Sequence, residues 1–113
     1  TFGPLGPVVV TADEIHNPDD LTVRCWLNDE LVQSDRTSSY RYPVAQVVSF
    51  ISQFVTLLPG DVVSLGTAVS NAGADTRPLA SLDMRTGVDT VTIEIERIGQ
   101  LTNPVRWRPP HAV

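Results

Sequence analysis

The chain has 113 residues, a net charge of -5 and a pI near 4.7, and its eight basic residues are all arginine. This length is that of one domain, the acidic balance argues against nucleic-acid binding, and the lack of lysine excludes Schiff-base chemistry by this chain. One cysteine, Cys25, excludes an internal disulfide, and no apolar run is long enough to cross a bilayer, so we expect a soluble, cytoplasmic protein without a membrane partner.

The first segment combines turn formers with an acidic stretch. Residues 1–7 contain two glycines and two prolines and cannot form a regular helix, whereas Val8 to Val10 predict a short strand. The residues that follow could be read as metal ligands: Asp13, Glu14, His16, Asp19 and Asp20. Because turn chemistry already explains these residue types here, we interpret them as a loop and predict no metal site in this chain.

A β-hairpin is predicted next. Residues 21–27 alternate between apolar and polar side chains, Asn28-Asp29 supplies the turn, and Glu30 to Gln33 forms the second arm. The polar residues 34–41 that follow are either a ligand-binding loop or a connection, and the sequence favours neither.

One amphipathic helix is predicted from Pro43 to Leu58. Pro43 suits the first helical position, and apolar residues recur at steps of three and four until Pro59 stops the helix after about four turns. We expect this helix to anchor the core, so that a charge at Ile51 would unfold the domain. Phe50 interrupts its polar face, which hints at a second packing partner such as another subunit.

The remaining residues predict short strands separated by turns. After the turn at Pro59-Gly60, a buried strand runs from Val62 to Leu65 and ends at Gly66-Thr67, where another group could approach the backbone closely. A long loop is predicted at 71–78, strands at 88–96 and 101–105, and an arginine- and proline-rich tail at 106–113. Glu94 and Glu96 could form a paired-carboxylate site, but their alternation predicts a solvent-facing strand face.

Several stretches, in the same order, resemble the fumarylacetoacetate hydrolase family. They are residues 1–15, 26–33, 37–38, 57–67 and 91–105. The resemblance covers nearly all of residues 1–105. The part of the family that these residues resemble is the C-terminal part of the catalytic domain. It implies a mainly β fold with one principal α-helix, an incomplete portion of a mixed β-sandwich roll, and a homodimer.

The resemblance also implies an enzyme of which this chain is only a part. Family members bind Mg2+, Mn2+ or Ca2+ through acidic ligands and act on small anionic 2-oxo acids or 1,3-dicarbonyl compounds, for example in aromatic catabolism, by C–C hydrolysis, decarboxylation or isomerisation. The family's acids and its lysine lie upstream of the position matching Thr1, so the catalytic residues are unknown here. We expect the isolated chain to be inactive.

A few substrate-binding positions can be carried over from the family. Gly66 and Thr67 match the Gly-Thr that contacts the substrate's carboxylate or carbonyl end; weaker candidates are Thr1, Gly3, Gln33 and Thr37. The chain departs from the family at Leu65, Ala68 and Ser39-Tyr40, which leaves the substrate subclass open. The alternative function is a non-catalytic β-rich domain for oligomerisation or ligand binding.

Overall fold

A four-stranded antiparallel sheet is the centre of the structure, a computed structural model that describes residues 3–68 and 87–106. The strand order is β2-β1-β3-β4. The elements are β1 (Thr22–Leu27), β2 (Glu30–Arg36), a 3-10 turn (Thr37–Ser39), α1 (Val44–Ser52), β3 (Thr90–Ile95) and β4 (Gly99–Pro104). The predicted class, mainly β with one principal helix, is confirmed.

The sheet has one apolar and one polar face. Cys25 lies opposite Ile93, and Ile93 lies opposite Leu101, so that these side chains share one side of the sheet. We call this side the apolar face; it consists of Val23, Cys25, Leu27, Val91, Ile93, Ile95 and Leu101.

The polar face is cross-linked by charged and amide side chains. Arg24 contacts the Glu94 carboxylate at 2.8 Å, and the Gln100 amide donates to the same carboxylate at 2.6 Å. The amide and the hydroxyl of Thr22 each donate to Glu96 at 2.9 Å. These contacts confirm that Glu94 and Glu96 belong to the polar strand face and are engaged with neighbouring strands.

The predicted hairpin turn is confirmed. Asn28 adopts a positive φ of 53°, and its side-chain oxygen accepts hydrogen bonds from the amides of Asp89 and Thr90 at 2.8 and 3.1 Å. The second arm is longer than predicted and runs to Arg36, because pairing with β1 continues beyond Gln33. A register shift near Cys25 leaves Val32 as the extra residue of a β-bulge, with 0% of its surface exposed.

The helix is shorter and less buried than predicted. It ends at Ser52, where the Ser52 hydroxyl bonds the Ser49 carbonyl at 2.9 Å and the amides of Gln53 and Phe54 form bonds of the 3-10 type. Side-chain competition of this kind and the β-branched Val55 and Thr56 both weaken a helix. No residue of α1 is buried, so the expectation that it anchors the core is wrong. Among residues 3–68 and 87–106, the buried apolar residues are Leu21, Cys25, Val32 and Ala68.

Two predicted strands do not form among the described residues. Val8 to Val10 and Val62 to Leu65 pair with no strand there, and Val9 and Val62 are 87% and 69% exposed. Their apolar composition predicted burial, but no described element covers these side chains. The turn at Pro59-Gly60 is confirmed by a bond from the Asp61 amide to the Leu58 carbonyl at 3.0 Å.

Some expectations fall outside the described residues. They concern Thr1, the loop at 71–78 and positions 107–113 of the predicted tail. No helix within 3–68 and 87–106 is both long and apolar enough to cross a membrane.

Candidate functional site

The Gly66-Thr67 corner is exposed and open. Gly66 has a φ of +85°, which side chains rarely adopt, and no heavy atom lies within 4 Å of the position that a Cβ would take. Neither the amide nor the hydroxyl of Thr67 bonds to a described residue. The corner can therefore offer both Thr67 donors to an anionic ligand. Ala68, the next residue, is only 5% exposed.

Tyr40, which directly follows the 3-10 turn, contacts this corner. Its hydroxyl lies 3.3 Å from the carbonyl oxygen of Gly66, to which it donates. The Tyr40 side chain is half-buried, and this burial raises the pKa of the phenol above its ordinary value. The hydroxyl therefore stays protonated at neutral pH and remains a hydrogen-bond donor.

Thr37, three residues before Tyr40, is buried. Its hydroxyl donates to the Pro18 carbonyl at 2.7 Å and accepts from the Leu21 amide at 2.9 Å, and its own amide bonds the Leu21 carbonyl at 2.8 Å. Both sides of the hydroxyl are thus engaged with the backbone. The structure gives Thr37 a positioning role at the start of β1, and its contact with substrate stays a prediction.

Gln33 carries an unsatisfied polar group. The residue is 8% exposed, lies opposite Cys25 on the apolar face, and its Nε2 has no hydrogen-bond acceptor in the described part of the chain. A buried donor without an acceptor costs about 1–3 kcal/mol. Gln33 therefore remains a candidate for binding a ligand oxygen.

Gly3 leads into a segment that borders an apolar groove. It has a φ of +55° and open space around it. Residues 4–7, together with one side of β3 and β4, line a groove of about 1050 Å³. The Gly66-Thr67 corner does not line this groove, so the structure does not bring all the predicted site residues into one cavity.

The acidic loop has structural roles. Asp19 accepts a hydrogen bond from the Val44 amide at 2.9 Å and so caps α1, and Asp20 pairs with Arg36 at 2.8 Å. Within 3–68 and 87–106, no three acidic, histidine or cysteine side chains gather as a metal site would require. The turns at residues 13–20 and the contacts of Asp19 and Asp20 agree with the interpretation of this stretch as a loop.

Tyr40 is the site residue that sequence reasoning missed. The sequence marks it only as a departure from the family pattern, and no spacing rule connects position 40 with position 66. The contact depends on how the hairpin and the extended segment after α1 approach each other. A tyrosine at the end of a polar stretch was the available signal, since a tyrosine hydroxyl usually has a hydrogen-bond partner when it is covered.

Comparisons with known proteins give one family. The family model described as fumarylacetoacetate (FAA) hydrolase C-terminal matches residues 1–106. The mitochondrial oxaloacetate tautomerases FAHD2B of Bos taurus and Fahd2a of Rattus norvegicus are 39% and 40% identical over 105 residues, which is 93% of this chain and 32% of each relative. A fumarylacetoacetate hydrolase domain-containing protein 2 homolog of Dictyostelium discoideum is 33% identical over 114 residues, 94% of this chain and 36% of its own.

The chain spans about a third of the length of these curated relatives. No solved structure gives a significant match. The expectation of a cytoplasmic protein is contradicted, because the Bos taurus, Rattus norvegicus and Homo sapiens relatives are named as mitochondrial. A single cysteine and the lack of a long apolar run do not distinguish the cytoplasm from an organelle.

The match over residues 1–106 shows that this chain belongs to the fumarylacetoacetate hydrolase family, with the C-terminal part of the catalytic domain as its counterpart.

Proposed function

We propose that this chain is the C-terminal part of an enzyme that interconverts the keto and enol forms of a small 2-oxo acid such as oxaloacetate. The observation that carries the proposal is the family match over residues 1–106, together with relatives named oxaloacetate tautomerases. Hydrolysis and decarboxylation are the other reactions that the family resemblance implies, and they need the same recognition of an anionic oxo acid.

The Gly66-Thr67 corner supplies substrate binding in this proposal. Tautomerisation moves one proton between a carbon and the neighbouring carbonyl oxygen, so the overall composition of the substrate does not change. The substrate keeps its carboxylate throughout, and the exposed amide and hydroxyl of Thr67 are suited to hold it. The group that moves the proton is not assigned to this chain.

A divalent cation does not fit the described residues. The resemblance implies Mg2+, Mn2+ or Ca2+, but residues 3–68 and 87–106 contain no cluster of three suitable ligands. We propose, as the resemblance implies, that the ligands of any such ion lie outside this chain and that the isolated chain is inactive. A homodimer is also part of the proposal, supported by the exposure of Phe50 and Phe54, at 62% and 73%.

The test is Thr67→Val in the full-length protein that contains this chain, assayed for oxaloacetate tautomerisation. The substitution preserves shape and removes the hydroxyl. A hydrogen bond to a charged group is worth about 1.5–3 kcal/mol, so KM should rise about ten-fold or more. The matched control is Thr56→Val, since Thr56 is exposed and makes no hydrogen bond with a described residue.

Two results would contradict the proposal. An unchanged KM in Thr67→Val would remove the assigned binding site. A full-length protein without activity on oxaloacetate or related oxo acids would instead favour the non-catalytic domain, for which the apolar groove beside residues 4–7 is the supporting observation.

A further inference from the structure

We propose that Tyr40 is a positioning residue that sets the direction of the Thr67 N–H by holding the carbonyl of Gly66. The inference rests on the proposed role of the Gly66-Thr67 corner in substrate binding. Its direct observation is the contact of 3.3 Å between the Tyr40 hydroxyl and the Gly66 carbonyl oxygen.

The geometry of the peptide bond connects the two groups. The carbonyl of Gly66 and the N–H of Thr67 belong to the same planar trans unit and point in opposite directions. A donor that fixes the carbonyl on one side therefore aims the N–H to the other. Tyr40 approaches the carbonyl side, which leaves the Thr67 amide free to face a ligand.

The corner needs such a restraint because few other contacts with described residues restrict the Gly66 backbone. Gly66 has no side chain to limit rotation, and no heavy atom lies within 4 Å of its Cβ position. Its only other hydrogen bond to a described residue, from the Gly66 amide to the Ser64 hydroxyl, is about as long as the Tyr40 contact, at 3.4 Å, and comes from a residue only two positions away in the chain. Without Tyr40 the peptide could rotate, and the amide would then lose its fixed direction.

The backbone at Tyr40 is held in place by hydrogen bonds of the preceding 3-10 turn. Tyr40 directly follows the 3-10 turn, and its amide bonds the Thr37 carbonyl at 3.1 Å. Thr37 is joined to Pro18 and Leu21 through its buried hydroxyl, and the Ser39 hydroxyl bonds the Arg36 carbonyl at 2.8 Å. The turn is thereby held to the start of β1 and the end of β2, so the phenol reaches Gly66 from the sheet.

A catalytic proton transfer by Tyr40 fits these contacts less well. The hydroxyl proton points to a backbone carbonyl and not to open space, and burial favours the neutral phenol over the phenolate that a base would require. The contact therefore assigns Tyr40 to positioning.

The experiment compares Tyr40→Phe with Tyr42→Phe in the full-length protein. Both remove one phenol oxygen, but Tyr42 is exposed, its ring lies 5.7 Å from the Arg41 guanidinium, and it borders a pocket lined by residues of α1. Tyr40→Phe should raise KM for oxaloacetate, and the dissociation constant of the unreactive dianion oxalate, about 3- to 10-fold, the effect of one ordinary hydrogen bond. It should change kcat less than twofold, and it should shift the backbone amide NMR signal of Thr67. Tyr42→Phe should leave KM, the dissociation constant of oxalate and the Thr67 amide signal unchanged.

Two companion variants make the outcomes distinguishable. Gly66→Ala keeps Tyr40 but strains the same peptide through the positive φ, so it should weaken oxalate binding in the same way. If Thr67→Val weakens binding while Tyr40→Phe or Gly66→Ala binds like the parent protein, the positioning role is overturned and the binding site stands. If Thr67→Val has no effect, the proposed site itself is overturned, and the inference with it.

Discussion

The buried hydroxyl of Thr37 links the segments that lead to the candidate site. Thr37 is 8% exposed, and its single hydroxyl serves both the Pro18 carbonyl and the Leu21 amide. Leu21 is itself buried, so its amide has no water to replace a lost partner. One side chain thus joins the loop before β1 to the turn after β2.

Thr37→Val should destabilise the full-length protein by about 1–3 kcal/mol, because it leaves the buried Leu21 amide without an acceptor while preserving side-chain shape. Urea unfolding measures the change. Thr37→Ser retains the hydroxyl and is the matched control, with an expected loss of less than about 1 kcal/mol for one methyl group. Equal stability of the valine and serine variants would show that the hydroxyl is not a structural link.

Single residues also show the limit of family patterns. The sequence marks Thr37 and Gly66 as separate substrate-binding candidates, and it marks Tyr40 only as a departure from the family pattern. In the structure, Thr37 supports Tyr40 and Tyr40 contacts Gly66. A sequence pattern identifies residue types at positions. Which of these residues contact one another depends on how segments that are far apart in the chain approach each other.

At the scale of elements, the hairpin could be predicted because its signals are local. Alternation, the Asn28-Asp29 turn and the tolerance of Asn28 for a positive φ act within a few residues. The helix was predicted too long and the strand at 62–65 does not form, because both depend on what covers them. An apolar stripe indicates that a face prefers burial, but it does not identify the element that buries it.

The polar face of the sheet should make stability depend on acid pH. The pKa of Glu94 is lowered first by the hydrogen bond from Gln100 and then by Arg24, and that of Glu96 by the hydrogen bonds from Thr22. A carboxylate with a lowered pKa in the folded state stabilises the fold above its ordinary pKa of about 4.3, and this contribution is lost as pH falls through the folded-state value.

Glu94→Gln should therefore flatten the dependence of unfolding free energy on pH below about pH 5. Denaturant unfolding of the full-length protein at a series of pH values measures this slope. Gln46→Ala, at an exposed residue of α1 outside the sheet, changes no ionisable group and should leave the slope unchanged. A parent-like slope in Glu94→Gln would mean that the contacts with Arg24 and Gln100 are absent in solution.

At the scale of the whole molecule, the described residues leave much apolar surface uncovered. Leu5, Val9, Phe54 and Leu58 are 75%, 87%, 73% and 63% exposed, and the apolar face of β3 and β4 opens into the groove of about 1050 Å³. Soluble monomers seldom expose contiguous apolar areas of more than a few hundred Å². The chain also spans about a third of the length of its curated relatives, so the surroundings of these faces could not be deduced from these residues.

The isolated 113-residue chain should therefore self-associate and bind the dye ANS strongly, whereas the full-length protein should show weaker dye binding per mole. The contribution of α1 can be separated, because Phe50 and Phe54 form one exposed pair with ring centroids 5.3 Å apart. The double variant Phe50→Ser, Phe54→Ser should lower the apparent mass of the isolated chain in light scattering, while Ser49→Ala and Ser52→Ala on the same helix should not. A monomeric isolated chain with little dye binding would show that the chain covers its own apolar faces. It would also remove the support that Phe50 and Phe54 give to a homodimer.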